Sequence, residues 1–464
     1  MGGSITSTQV ARGLFLLLLL AAPAALLVAD ALAAKGKPKT TLASRQSKGA
    51  GGAGGDQGSF NPSISADGRY VAFETSADNL GGPLDTSVDN VYVYDRAKKR
   101  IRLVSRRSGQ NGAGADGDSF SPEISANGRY VAFTTSADNL GGPLDTNVQN
   151  IYVYDLAKKR VRLVSRQSGK DGAGADGFSF SPELSAAGRY IAFGTDADNL
   201  GGPLDTSVDN VYVYDLAKKR VRLVSRRSGK NGAGGDGHSF TPTLSADGRF
   251  VTFGTEANNL GGPLDPDIDN VYVYDRVKKR VRLVSRRSGR SGAGGNDHSR
   301  DAFMSGNGRF VGFESIATNL GGPIQTDPLD LDANVYVYDL ERKRVQLVSR
   351  QSRRAGGKGA NDSDDPVLSH SGRYVAFETN ATNLGGPLNP ANTSDNAYVY
   401  DRKLKRVELV GRASGRKGAA CDDDCEDPYV SANGRFVAFE GEATNFGGPI
   451  APGTDNVWVR DRRR

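Results

Sequence analysis

The 464-residue chain carries a formal charge of +7 and contains 60 glycines, a composition that suits many turns between short strands. After the first forty residues no apolar pattern has a helical period, which excludes a helical fold for the body of the chain. The net charge hides a segregation, because basic and acidic residues fall in different loops.

The first segment has the features of a secretory signal. Arg12 precedes an apolar run over residues 14–28, and Ala31-Leu32-Ala33 has the small-x-small form of a signal-peptidase site. An uncleaved anchor is the alternative, because the run approaches the length that spans a bilayer. We predict a signal peptide over residues 1–33 and a secreted, periplasmic or cell-surface protein, which would touch a membrane only through this segment if it is retained.

A nine-residue motif returns seven times along the chain. It reads SANGRYVAF at Ser125, and its copies begin at Ser65, Ser185, Ser245, Ser305, Ser369 and Ser431. The first five copies lie 60 residues apart and the later ones 64 and 62, a fixed period that indicates a repeat architecture.

Each repeat has the pattern of four short strands. In the second repeat these are residues 119–125 (SFSPEIS), 129–135 (RYVAFTT), 150–155 (NIYVYD) and 160–166 (RVRLVSR), with an Asn-Gly hairpin turn after the first. The middle strands are nearly continuous apolar runs, and the fourth mixes arginine with valine and leucine, as expected at an outer edge. Seven such units predict an all-β fold, a seven-bladed β-propeller with four antiparallel strands per blade. A solenoid is the alternative, but it needs end caps and none is visible.

The two ends of the chain complement each other. The last repeat stops at its third strand, residues 456–461 (NVWVRD), whereas residues 40–46 (TTLASRQ) have the fourth-strand pattern. We predict that this amino-terminal strand completes the last blade and closes the ring. Residues 34–464 would then form one domain.

The repeats, with S-x-D/N-G-R-Y/F-V-A-F followed by N-V-Y-V-Y-D, resemble the WD40-like (PD40) repeats of the TolB family of β-propellers. The resemblance covers essentially all of residues 40–464. It implies the propeller fold and says less about function, because the same ring serves binding proteins and some enzymes.

Strand order assigns the basic residues to one face of the ring. The hairpin turns on that face carry Lys98, Lys99, Arg100, Lys158, Lys159, Arg160, Lys218, Lys219, Arg220, Lys278, Lys279 and Arg280, with equivalents in the later repeats. This face is a candidate for binding a polyanion. The alternative is a set of solvated turns that protect the blades from aggregation. We expect no nucleic acid partner, because aromatic residues that could stack on bases are absent from these turns.

The loops of the opposite face are acidic. The first contains Asp78, Asp85 and Asp89, whose oxygens are the hard ligands that calcium uses. Their spacing does not match an EF-hand, and such residues commonly bond to loop backbone instead. We therefore expect no cofactor and no metal, with calcium at these three residues as the open alternative.

The two cysteines lie close together in the sequence. Cys421 and Cys425 belong to the acidic segment CDDDCED. An oxidising compartment would allow them to pair. We predict a disulfide between them.

The sequence offers little for catalysis. The histidines, His238, His298 and His370, are scattered, and no G-x-S-x-G motif is present. We predict no catalytic residues and no enzymatic activity.

The symmetry of the repeats breaks in the fifth to seventh units, where loops and links lengthen. A preferred binding site would lie there on the loop face, near Asp327, Asp330, Asp332, Asp364, Asp365 and Asp422 to Asp424; drift in surface loops is the alternative. The predicted function is a monomeric, non-enzymatic binding scaffold for a protein, a glycan or an anionic envelope polymer. The alternative is an extracellular hydrolase or lyase at the central channel, which convergent carboxylates in the channel would favour.

Overall fold

The computed structural model describes residues 37–47, 52–82, 87–142, 148–202, 208–262, 268–322, 332–353, 356–386, 394–451 and 453–463. These residues belong to one compact unit, residues 35–464. The signal segment over residues 1–33 lies outside the described residues and stays a prediction.

Seven four-stranded antiparallel sheets make up the described chain. Blade 1 consists of β2 (Ser59–Ile64), β3 (Tyr70–Thr75), β4 (Asn90–Asp95) and β5 (Arg100–Leu103). Blade 2 consists of β6 (Ser119–Ile124), β7 (Tyr130–Thr135), β8 (Asn150–Asp155) and β9 (Arg160–Leu163). Blade 3 consists of β10 (Ser179–Leu184), β11 (Tyr190–Thr195), β12 (Asn210–Asp215) and β13 (Arg220–Leu223). Blade 4 consists of β14 (Ser239–Leu244), β15 (Phe250–Thr255), β16 (Asn270–Asp275) and β17 (Arg280–Leu283).

The last three blades follow the same order. Blade 5 consists of β18 (Ser299–Met304), β19 (Phe310–Ser315), β20 (Asn334–Asp339) and β21 (Arg344–Leu347). Blade 6 consists of β22 (Ser363–Leu368), β23 (Tyr374–Thr379), β24 (Asn396–Asp401) and β25 (Arg406–Leu409). Blade 7 consists of β26 (Glu426–Val430), β27 (Phe436–Gly441), β28 (Asn456–Asp461) and β1 (Lys39–Leu42). The predicted all-β seven-bladed propeller is confirmed.

The amino-terminal strand closes the ring as predicted. β1 pairs antiparallel with β28, with Thr40 opposite Arg460. The Thr40 amide donates a 3.0 Å hydrogen bond to Ser414 Oγ, which belongs to the link after blade 6. The Val161 amide of β9 makes the same 3.0 Å bond to Ser108 Oγ in the link after blade 1. The strand therefore occupies the fourth-strand place of blade 7.

Apolar residues of adjacent blades interlock to form the core. Val91 and Val93 of blade 1 pack in one cluster with Val131 and Phe133 of blade 2, and all four are buried. Because both faces of each middle strand are covered in this way, the strands are apolar throughout. No helix in the described part of the chain has the length and hydropathy to cross a membrane.

The repeated motif forms the inner hairpin of each blade. Ser125 Oγ donates to Asn127 Oδ1 at 2.8 Å and accepts from the Tyr130 amide at 2.9 Å. Gly128 has a φ of 66°, which favours glycine. The Ser and the Gly of the motif occur in all seven copies, as expected for residues that form the same turn in every blade.

Candidate functional site at the channel mouth

A β-bulge in the innermost strand of every blade shapes the central channel. In blade 1, Phe60 pairs with Glu74 and Ser63 pairs with Ala72, so one extra residue is inserted between the two pairs. The bulge places a non-glycine residue at positive φ; the seven equivalent residues are Asn61, Ser121, Ser181, Thr241, Asp301, Asp365 and Asp427. They line a cavity of about 270 Å³ that we call the mouth. Bulges redirect side chains in this way next to functional sites.

The mouth lies toward the loop face, because the bulge follows closely on the link that enters each blade. Its bulge residues are neutral in blades 1 to 4 and aspartates in blades 5 to 7. The same division holds at the positions beside them: blades 1 to 4 place Phe60, Phe120, Phe180 and Phe240 before the bulge, and blades 5 to 7 place Arg300, Asp364 and Glu426 there. The ring is therefore symmetric in backbone and asymmetric in charge.

The asymmetry concentrates carboxylates on one side of the channel. We call this set the acidic sector; it consists of Asp301, Glu314, Asp364, Asp365, Glu378, Glu426, Asp427 and Glu440. Burial, followed by repulsion from neighbouring carboxylates, raises the pKa of Asp365 to about 8 and the pKa of Glu378 to about 10. The same two causes raise the pKa of Glu440 to about 9. The sector is short of positive charge.

Two triads of carboxylates have the geometry to hold a cation. One oxygen each of Asp365, Glu378 and Asp427 lies within 4.8 Å of the other two. Glu378 Oε2 also accepts a 2.7 Å hydrogen bond from the Asp427 amide, which fixes the two blades together at this point. The second triad consists of Asp395, Asp424 and Glu426. Clustered carboxylate oxygens are the ligands that hard divalent cations prefer.

Below the mouth lies a second group, which we call the waist: Glu123, Glu183, Phe303 and Tyr429. These four residues line both the mouth and a cavity of about 90 Å³ toward the hairpin face. The Tyr429 hydroxyl donates a 2.9 Å hydrogen bond to Glu123 Oε1 across the channel, and its ring packs edge-on against Phe303 at 5.8 Å. Burial raises the pKa of Glu123 to about 8, and burial together with the nearby Glu123 raises the pKa of Glu183.

The predicted calcium residues lie elsewhere on the loop face. The Ser76 hydroxyl donates to Asp89 Oδ1 at 2.6 Å, and the Asp78 amide donates to Asp56 Oδ1 at 3.1 Å. Asp85 lies outside the described residues. Calcium at these positions stays a prediction. The sequence analysis placed Asp365 and Asp424 near a preferred binding site, but it did not identify the two carboxylate triads to which they belong.

Some of the residues predicted for a site over the later blades belong to the carboxylate clusters, and others form contacts within loops. Asp364 and Asp365 belong to the acidic sector, and Asp424 belongs to the second triad. Asp332 pairs with Lys358 at 3.3 Å, and Asp422 Oδ1 accepts from the Thr444 amide at 2.8 Å. The remaining candidates are Asp423, which accepts from the Asp424 amide, and Asp327 and Asp330, which lie outside the described residues.

The basic hairpin residues are almost all exposed at the surface. Among the twelve predicted ones Lys279 is half-buried and the others are exposed. Lys99 adopts a φ of 50° in its turn, and its equivalents in blades 2 to 6 do the same. This geometry suits solvated turns, and polyanion binding at the turns stays a prediction.

The histidines do not lie at the mouth. His238 Nδ1 is 3.0 Å from Asp209 Oδ2, and His298 Nδ1 is 3.0 Å from Asp269 Oδ2. Both occupy the position at which Asp118 accepts a hydrogen bond from the Asp89 amide in the first repeat. They therefore help to fix the links between blades.

The two cysteines are buried and, in this structure, free thiols. A Cβ atom added to Gly411 would lie 3.2 Å from both Cys421 Sγ and Cys425 Sγ, so the two sulfurs face the same glycine. Burial raises the pKa of Cys425. The disulfide stays a prediction.

The sequence matches no protein-family model and no curated protein sequence. Several solved structures share the fold. An oligogalacturonate lyase in complex with manganese is 12% identical, with a TM-score of 0.51 over 92% of this chain and 98% of that one. An oligogalacturonate lyase from Vibrio parahaemolyticus is 13% identical, with a TM-score of 0.50 over 92% and 97%. TolB from Acinetobacter baumannii is 14% identical, with a TM-score of 0.39 over 79% and 66%.

The likeness is one of fold. It agrees with the propeller fold predicted from the repeats. The prediction that the protein is not an enzyme is wrong as it was argued, because propellers of the same architecture include lyases. The absence of familiar catalytic motifs was not sufficient ground to exclude enzymatic activity. A site in a propeller channel is assembled from several blades, so its carboxylates form no local sequence motif.

Proposed function

We propose that the protein is a secreted or envelope propeller that holds a divalent cation of the calcium type in its acidic sector. The cation would then bind the hydroxyl groups of a glycan at the mouth. The observation that carries this proposal is the triad of Asp365, Glu378 and Asp427, whose carboxylate oxygens lie within 4.8 Å of one another. No salt bridge to any of these three residues occurs in the described chain.

A divalent cation accounts for the electrostatics of the sector. Three neighbouring carboxylates repel one another when all are ionised, and burial adds the cost of desolvation. A bound cation removes both penalties, because it stabilises the ionised form of each ligand. Burial raises the pKa of Asp301 and of Glu314, and Arg300 at the edge of the sector offsets this only in part. Arg300 is not among the groups that shift the pKa of Glu378, so the triad is left uncompensated.

A glycan fits the remainder of the mouth. Calcium takes six to eight oxygen ligands, so three carboxylates leave positions that sugar hydroxyls can fill. The opposite wall supplies the hydroxyls of Ser121, Ser181 and Thr241 as hydrogen-bonding groups. The half-buried Phe60 and its equivalents in blades 2 to 4 add apolar surface at the rim. Propellers of this fold that act on oligogalacturonate support a glycan over a protein as the ligand.

The test is binding to a glycan array in calcium and again in chelator. We expect binding in calcium that is lost in chelator, and lost in both conditions by Asp365→Asn/Asp427→Asn. The matched control is Asp198→Asn, which removes the charge of an exposed loop-face carboxylate away from the mouth. Glycan binding that is unchanged by chelator and by the double substitution would overturn the proposal.

Cleavage of the glycan is a second candidate, favoured by the waist. Burial keeps Glu123 protonated near neutral pH, with a pKa of about 8, and a carboxyl in that state is a general acid. Glu183 lies close to Glu123. The Tyr429 hydroxyl donates a 2.9 Å hydrogen bond to Glu123. We expect Glu123→Gln to abolish the release of reducing ends from a bound glycan while binding persists. Release that persists in Glu123→Gln and Glu183→Gln would exclude the waist.

A further inference from the structure

The position that follows the aspartate at the end of each third strand is occupied by either arginine or leucine. In four blades it is an arginine whose guanidinium lies over an aromatic ring of the preceding blade. The pairs are Arg96 over Phe436 at 4.6 Å, Arg276 over Tyr190 at 4.2 Å, Arg402 over Phe310 at 4.2 Å and Arg462 over Tyr374 at 5.0 Å. Each guanidinium also donates to the hairpin glycine of its own blade, as Arg402 does to the Gly372 carbonyl at 2.7 Å. These arginines fill the boundary between two blades.

In the other three blades a leucine stands at this position. Leu156 and Tyr70 belong to one apolar cluster, as do Leu216 and Tyr130, and Leu340 and Phe250. Leucine is shorter than arginine, and a groove lies at each of these boundaries. The grooves measure about 530 Å³ beside Leu156, about 280 Å³ beside Leu216 and about 480 Å³ beside Leu340.

Basic side chains line all three grooves, and the two aspartates among the lining residues, Asp155 and Asp275, are paired with Arg129 and Arg249. The fourth strand of the preceding blade forms one wall of each and contributes Arg100 and Arg102, Arg160 and Arg162, or Arg280 and Arg282. In the described chain none of these six arginines takes part in an ion pair. Arg162 Nε is buried without a hydrogen-bond partner. A guanidinium without an ionic partner can bind an anionic group from solution.

We propose that the three leucine-lined grooves on the outer side of the ring bind an acidic polysaccharide through its carboxylates. The aromatic rings at these boundaries are not available for stacking on bases, because Arg69, Arg129 and Arg249 cover Tyr70, Tyr130 and Phe250 at 4.7, 4.9 and 4.7 Å. The grooves therefore recognise charge without base stacking, which favours a polyuronate over a single-stranded nucleic acid. This inference is independent of the cation site at the mouth.

The test fills the three grooves with arginine, the residue that occupies the same position at the other four boundaries between blades. The triple variant Leu156→Arg/Leu216→Arg/Leu340→Arg adds three positive charges while filling the grooves. The probe is fluorescently labelled polygalacturonate at fixed ionic strength. We expect the triple variant to bind at least about tenfold more weakly than the unmodified protein, since several carboxylate contacts are lost together.

The control adds the same charge without filling a groove. Phe178, Val277 and Leu404 are exposed at 47%, 72% and 54%, and Phe178→Arg/Val277→Arg/Leu404→Arg is expected to bind at least as tightly as the unmodified protein. A closing variant that binds as tightly as this control would overturn the proposal, because charge alone would then explain the binding. Duplex DNA that binds as tightly as polygalacturonate would overturn the polysaccharide assignment.

A reverse substitution keeps the proposal testable if the closing variant does not fold. Arg276→Leu removes the arginine that lies over Tyr190 and opens a fourth boundary. We expect it to tighten polygalacturonate binding by roughly twofold although it removes a positive charge. Weaker binding by Arg276→Leu would contradict the groove model.

Discussion

The Arg129 guanidinium and the Asp155 carboxylate form a bidentate ion pair, with 2.8 Å between Nη2 and Oδ2 and 3.1 Å between Nε and Oδ1. The pair joins the inner hairpin motif to the end of the third strand. It recurs in every blade, as Arg69–Asp95, Arg189–Asp215, Arg249–Asp275, Arg309–Asp339, Arg373–Asp401 and Arg435–Asp461. The two most regular motifs of the sequence are therefore partners in space.

Removing this pair should destabilise the ring. Asp155 Oδ1 also accepts hydrogen bonds from the Ala157 and Lys158 amides at 3.1 Å, so Asp155→Ala leaves several donors unsatisfied. We expect a loss of about 3 kcal/mol in the free energy of unfolding, measured by urea denaturation. The control Lys158→Ala, an exposed change in the same turn, should cost no more than about 0.5 kcal/mol. Equal losses in the two variants would mean that the pair contributes nothing.

The same aspartate gives the fold an acid limit. Burial would raise the pKa of Asp155, but the Arg129 guanidinium and the amides of the turn hold it below its usual value. A carboxyl with a depressed pKa contributes stability above its unfolded pKa of about 3.9, and that stability is lost as the pH falls through the folded pKa. As the pH falls below about 4, the melting temperature should therefore decline less in Asp155→Ala than in the unmodified protein.

The acidic sector predicts the opposite dependence at higher pH. Folding raises the pKa of Asp365 to about 8, of Glu440 to about 9 and of Glu378 to about 10. Stability from such groups is complete below their unfolded pKa and is lost as the pH rises through the folded values. Without divalent cations the melting temperature should fall steadily between about pH 5 and pH 9.

Calcium should remove most of this decline, because the cation stabilises the ionised carboxylates. Asp365→Asn/Asp427→Asn should flatten the pH profile and abolish its response to calcium, whereas Asp198→Asn should retain both. A profile that is flat in the unmodified protein would contradict the raised pKa values.

Ring closure can be tested by truncation. Deleting residues 34–47 removes β1 and exposes the edge of β28. It also removes Thr40, whose hydroxyl accepts a 3.0 Å hydrogen bond from the buried Arg460. We expect a sharp fall in melting temperature, and no change on deletion of residues 1–33 alone. An unchanged melting curve after loss of residues 34–47 would contradict closure by this strand.

The cysteine pair makes a chemical prediction. In protein secreted into an oxidising medium and then unfolded in denaturant, Cys421 and Cys425 should resist alkylation until a reductant is added, as measured by mass spectrometry. Closing so short a loop should stabilise the fold by about 2 kcal/mol. Cys421→Ser and Cys425→Ser should lose the same amount. Alkylation of both thiols without reductant would exclude the disulfide.

The sequence was sufficient to predict the seven-bladed ring, but it was not sufficient to predict which residues meet in the channel. Strand order, closure by residues 40–46 and the turn role of Ser125 all depend on local patterns, which short-range physics determines. The acidic sector depends on register, because the bulge brings together residues as distant as Asp301 and Asp427 in the chain. One signal was available: the first strand changes from SFSPE at residues 119–123 to SDDPV at residues 363–367. The sequence does not predict the β-bulge, so this change alone does not show that the residues of both segments face the channel.

Calorimetric titration with calcium is the most direct test of the mouth as a cation site. The account predicts saturable binding to the unmodified protein at pH 7.5, with protons released as the raised carboxyls of Asp365 and Glu378 ionise. It predicts affinity at least about a hundredfold weaker in Asp365→Asn/Asp427→Asn and unchanged affinity in Asp198→Asn. Absence of binding to the unmodified protein, or equal affinity in the double variant, would contradict it.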